Sequence, residues 1–213
     1  MSKKDEIIQN LFFKERIGKK IAAVLIAVIT MGFTLSLLVR VNMGTDPCTS
    51  MNLGISDKLN LSLGNWQVIF NFILLLFVLR FDYTKIGIGT FANMILVGYS
   101  LDFFSWVWNQ VLPQDAFASM WVRVTILFPA LAVFIFAAAV YMAVDLGTAP
   151  YDALSFIISN SQSKVSFRVF RIIWDVSAAT IGFLLGSTVG VVTVLMSVAL
   201  GPAIIAVQKR IRI

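Results

Sequence analysis

Along this chain long apolar runs alternate with short polar breaks. Six runs approach or exceed the length needed to cross a hydrocarbon core about 30 Å thick at 1.5 Å per residue. They are Ile21–Val39, Trp66–Leu79, Ile86–Trp108, Trp121–Val144, Arg168–Gly186 and Thr188–Val207. The second is short and is expected to begin a few residues earlier. In lipid the backbone must satisfy its own hydrogen bonds, so runs of this kind predict helices. Two shorter segments follow the first and fourth runs, at 47–56 and 150–159, each opening on a proline suited to a first helical turn.

The polar breaks repeat. Gly44, Thr45 and Pro47 recur at one constant offset as Gly147, Thr148 and Pro150, and the same offset carries Gly87, Thr90 and Gly98 onto Gly190, Thr193 and Gly201. Between these blocks the offset grows by one, and Gly64, Gln67 and Asn71 fall on Arg168, Arg171 and Asp175. Shared punctuation at fixed spacing predicts a duplicated unit. Residues 21–110 form the first unit and 121–208 the second, each with three spans and a short helix after the first. An odd span number makes the two halves antiparallel. The predicted fold is therefore an all-α polytopic membrane protein of six transmembrane helices, arranged as two inverted-topology repeats. Gly87, Thr90 and Gly98, like Gly190, Thr193 and Gly201, are expected to serve close helix packing.

Composition agrees with a membrane setting: 59% of the 213 residues are hydrophobic and 13% are charged, about half the charged share of a soluble domain. Residues 1–20 form a basic segment with Ile7, Ile8, Leu11 and Phe12 at near-helical spacing, expected to lie on the cytoplasmic leaflet. With that end inside, only Arg40, Lys58 and Arg123 of the 17 Lys and Arg fall outside, so both termini are placed in the cytoplasm. The same placement explains the net charge of +6 without nucleic acid as a partner. The partners expected are the bilayer and a small-molecule substrate, and a homo-oligomer is compatible with such a chain.

There is one cysteine, Cys48, and no histidine. An intrachain disulfide is excluded, and the residues offer no metal cluster and call for no cofactor. No nucleophile motif or phosphate loop is present, so an enzyme is not expected. Cys48, at the start of the outward-facing short helix, is expected to react with a water-soluble thiol reagent.

Candidate chemistry concentrates on the fifth run. Arg168, Arg171 and Asp175 share one helical face. An acid that far from the membrane surface costs about 2.5–3.5 kcal/mol unless paired or wetted. Arg171 is expected to pair with Asp175 while Arg168 reaches towards the cytoplasm. The matching face of the second span is neutral, with Gln67 and Asn71. A polar site is placed between the two stripes, and Asp152, just beyond the second motif proline, is added to it. Asp46 is read as a helix cap, and Asp102 as a solvated residue near a helix end. The short helices either dip into the membrane as broken-helix elements or lie flat on its surface.

These residues resemble the YczE/YitT-like bacterial membrane proteins. The second half keeps Pro150-Tyr151-Asp152, Ser166-Phe167 and Arg168-x-x-Arg171; the first keeps Gly87-Ile88-Gly89-Thr90, with Thr49 where an acid is usual. The resemblance implies a six-helix protein of the bacterial inner membrane. Two functions are carried forward. One is a small secondary transporter or permease of an anionic or zwitterionic solute. The other is a non-transporting scaffold or regulator of a biosynthetic or signalling complex.

Overall fold

A computed structural model of the chain describes residues 17–113, 115–161 and 167–211. The predicted amphipathic segment lies largely outside the described residues, and its last four residues open the first helix. Among the described residues there are eight α-helices and no strand: α1 Ile17–Val41, α2 Pro47–Lys58, α3 Leu63–Phe81, α4 Ile88–Val111, α5 Met120–Val144, α6 Pro150–Ser161, α7 Phe167–Leu184 and α8 Val191–Gln208. Every predicted run and both short segments have become helices, and both short ones start on the predicted prolines. Four helices, α1, α3, α5 and α8, are long and apolar enough to cross a membrane. The other two long ones, α4 and α7, also carry internal polar residues: Asn93 and Asp102 in the first, Arg168, Arg171 and Asp175 in the second.

α1 is the central helix. Val24, Val28, Leu35, Leu38 and Val41 are essentially inaccessible, and α1 packs along α4 and α5. Gly32 allows the close approach to α4, since a Cβ there would lie 2.7 Å from the Val97 carbonyl oxygen. Apolar side chains on the outside face away from the core, with Ile26, Phe128, Leu184 and Val191 each about two-thirds exposed or more.

Contacts recur between equivalent elements. α1 packs on α4 and α5 on α8; α2 packs on α7 and α6 on α3; α3 packs on α4 and α7 on α8. The repeated motif explains part of this pattern. After α1, Asn42 and Gly44 take positive φ (54° and 98°), and after α5, Asp145 and Gly147 do the same (53° and 113°). These residues reverse the chain so that the Met43 carbonyl accepts from Val192 N–H at 3.3 Å, and the Leu146 carbonyl from Gly89 N–H at 2.7 Å. Thr90 Oγ1 donates to the Thr148 carbonyl at 2.9 Å. Each motif loop thus docks on the start of a long helix from the other half, at Gly190 or Gly87, where a Cβ would collide with a carbonyl.

Two expectations are corrected here. Gly98 does pack closely, against Gly64 and Gln67 of α3, but its counterpart Gly201 has nothing within 4 Å of a Cβ position. That glycine borders a groove between α7 and α8. Asp102 is half-buried and accepts from the Gly64 N–H at 2.8 Å, satisfying a free amide in the first turn of α3 instead of facing solvent.

Candidate functional site

The beginnings of α2 and α6 meet at a central cavity of about 110 Å³ to which all eight helices contribute. That is room for several water molecules. Local sequence brings both ends there. Asp46 caps α2, its Oδ1 accepting from Thr49 N–H at 3.0 Å, with Pro47 at the first helical position. Pro150 opens α6 in the same way, which places Asp152 in its first turn.

Arg171 of α7 organises one wall of the cavity. Its Nε donates to Asp175 Oδ2 at 3.0 Å, one turn along the same helix. An Nη1 hydrogen goes to Asp152 Oδ1 of α6, and Nη1 lies 3.4 Å from Ser155 Oγ. The guanidinium carbon sits 5.4 Å from the centroid of the Tyr151 ring. Tyr151 completes the cluster by donating its hydroxyl to Asp175 Oδ1 at 2.9 Å. Asp175 is only 3% exposed, and two specific donors, Arg171 Nε and the Tyr151 hydroxyl, serve its carboxylate. The same Arg171–Asp175 pair borders the groove of about 370 Å³ between α7 and α8, which runs to Lys209.

Of the residues singled out from sequence, Arg171, Asp175, Asp152, Gln67 and Asn71 all line the one cavity. The Arg171–Asp175 pairing is as expected. The side chain of Arg168 lies outside the described residues. The motif residues Gly44, Thr45, Gly147 and Thr148 do not line the cavity; Pro47 does, and Pro150 opens the helix that carries Asp152. They shape the loops that aim α2 and α6 inward.

Several cavity residues escaped the sequence reading. In sequence Tyr151 is only a motif position, because its i+24 relation to Asp175 has no helical signature. Asn93 of α4 and Tyr141 of α5 also line the cavity; Tyr141 donates to the Gly89 carbonyl at 3.2 Å. Cys48 does not sit at an outer surface: it is half-buried on the cavity wall, with Asn52 Nδ2 3.4 Å from its sulfur. Asp46 caps its helix as expected but also faces the cavity, and its second oxygen has no partner. The charge balance changes accordingly. Among the described side chains, Asp46, Asp152 and Asp175 stand against the guanidinium of Arg171, an acidic excess where Arg168 and Arg171 alone suggested a cationic one.

A family model described as a family of unknown function (DUF6198) matches residues 18–209. An uncharacterized protein of Haemophilus influenzae is 27% identical over 187 residues, covering 87% of this chain and 82% of that protein. An uncharacterized membrane protein of Bacillus subtilis, YczE, is 28% identical over 133 residues, 62% of this chain and 59% of its own length. No solved structure matches. The apolar helices and the likeness to YczE make the chain an integral membrane protein, and the YczE-like resemblance read from its motifs holds. It belongs to the DUF6198 family of unknown function.

Proposed function

We propose that the protein is a small permease of the bacterial cytoplasmic membrane that carries a small zwitterionic or cationic solute through the central cavity. In this reading it consists of two three-span halves of opposite orientation, with both termini in the cytoplasm. The observation that carries it is the convergence of both short-helix beginnings and both polar stripes on one cavity containing a charged cluster. Secondary transporters built from inverted repeats place broken helices and their substrate site at such a junction. The recurrence of α1–α4 in α5–α8, and of α2–α7 in α6–α3, supports the inverted arrangement, as does the reciprocal docking of the two motif loops.

Charge decides the solute class. Arg171 has two carboxylate partners and a tyrosine ring, so its positive charge is already matched before any anion arrives. Among the described side chains, three carboxylates around one guanidinium favour a solute with a positive end, and the neutral Gln67, Asn71 and Asn93 supply hydrogen bonds for the rest. This narrows the earlier anionic or zwitterionic expectation to its zwitterionic part and adds cations.

The test is uptake of labelled amino acids and small amines into proteoliposomes. Saturable uptake of at least one amine-bearing solute, abolished when Asp152, Arg171 and Asp175 are replaced together by Thr, Gln and Asn, is expected. Folded wild-type protein giving no uptake above empty liposomes across the panel would overturn the reading.

A further inference from the structure

Asp46 is 7% exposed, at the start of α2. Its Oδ1 is committed to the Thr49 amide at 3.0 Å. Its Oδ2 is buried without a hydrogen-bond partner, one of two such side-chain atoms among the described residues. The other, Trp174 Nε1, lies on an aromatic stack with Tyr151 and Phe170, whereas Asp46 lines the cavity. A buried polar atom normally has a partner, and a buried carboxylate oxygen without a donor is the more costly case.

The charged and phenolic groups that line the cavity with Asp46 already have partners, and none of the neutral Gln67, Asn71 and Asn93 donates to its Oδ2. From α7, Arg171 donates to Asp175 and Asp152. Asp152 comes from α6, and Tyr151 of the same helix donates to Asp175. From α5, the Tyr141 hydroxyl is used on the Gly89 carbonyl. Cys48, on α2 itself, takes its contact from Asn52. Among the described side chains, Asp152 and Asp175 already exceed Arg171 by one negative charge, so an ionised Asp46 raises the excess in a small enclosed space. Oδ2 is therefore open to something that arrives from outside: a proton, or the N–H of a cationic solute.

We infer that Asp46 is an exchange site at which a proton and the ammonium group of the carried solute compete for the same carboxylate oxygen. The inference rests on the permease reading and deepens it: the solute class is a small amine, and the driving force is proton antiport. A solute-free cavity holds Asp46 as the neutral acid. Entry of the ammonium displaces that proton, which leaves through the open side of the cavity. The two ligands cannot occupy Oδ2 together, so each crossing of the amine returns a proton the other way.

Proton occupancy is measured without any flux. Infrared difference spectra of the purified protein in lipid nanodiscs, taken across a pH step, should contain a carboxylic C=O band that disappears in Asp46→Asn. Where that variant does not fold, Asp46→Glu should shift the band and so assign it. Methylammonium chloride added at constant pH should shrink the band and release protons to the medium, whereas sodium chloride at equal concentration should leave it unchanged. Absence of an Asp46-dependent band overturns the inference, as does a band indifferent to methylammonium or equally sensitive to sodium. Failure of the permease reading looks different: the band persists and responds, yet no solute crosses proteoliposomes.

Discussion

Gly147→Ala is expected to abolish accumulation of folded protein, with a loss of stability on the order of 4 kcal/mol. Two independent costs meet at this residue. Its φ of 113° lies where an L side chain is strained, a penalty of about 1–3 kcal/mol. A Cβ there would also lie 2.5 Å from the Gly87 backbone nitrogen and 2.6 Å from Thr90 Oγ1. Overpacking of that kind costs about 1–3 kcal/mol, and here the obstructing atoms include backbone that holds the two halves together. The sum approaches the whole stability of a small protein, about 5–15 kcal/mol. Gly44, with φ 98° and a Cβ position 2.8 Å from the Gly190 nitrogen, should behave alike. Gly186 provides the control, because its φ of 91° is also positive but nothing lies within 4 Å. Gly186→Ala should lose only the backbone part, about 1–3 kcal/mol. Thermal unfolding in detergent, with the amount of protein recovered from membranes, separates these outcomes; equal behaviour of Gly147→Ala and Gly186→Ala would remove the role given to the motif at the junction.

The second large effect is a ranking within the charged cluster. Arg171→Gln should destabilise by about 3–5 kcal/mol, the usual penalty for stripping a buried ion pair of one partner. It leaves Asp175, at 3% exposure, and Asp152 without their shared cation. Asp175→Asn should cost less, because Arg171 keeps Asp152 and the Tyr151 hydroxyl keeps an amide oxygen to donate to. Replacing Arg171, Asp175 and Asp152 by Gln, Asn and Thr copies the neutral trio Gln67, Asn71 and Thr49 of the first half and should recover most of the loss. Chemical unfolding of the three proteins in one detergent gives the order. An Arg171→Gln protein as stable as wild type would mean that the cluster is wet and not a buried network.

Much of this arrangement was legible in the sequence because it follows from periodicity and punctuation. Apolar runs dictate helices in lipid, and the two Gly-Thr-x-Pro breaks located both short helices to the residue at their starts. The i, i+4 spacing of Arg171 and Asp175 put them on one face, and the repeat offset named Gln67 and Asn71 as their counterparts. What stayed hidden depends on contacts between halves. The reach of Arg171 to Asp152 and of Tyr151 to Asp175 depends on how α6 lies against α7, which no local pattern encodes. Asp46 read correctly as a cap, yet a cap uses one carboxylate oxygen and the fate of the other is decided by the cavity. Gly201 shows the converse error. Symmetry of sequence predicted symmetry of packing, but the groove between α7 and α8 leaves that glycine without a neighbour.

Transport requires the central cavity to open to both sides of the membrane, and Cys48 reports on this in the unaltered protein. It is the one cysteine in the chain and it lies on the cavity wall beside Asp46. A membrane-impermeant thiol reagent should label Cys48 in right-side-out vesicles and also in inside-out vesicles, in each case more slowly than in unfolded protein. Labelling from one side only, or from neither while denatured protein reacts fully, would contradict a transport site between the two halves.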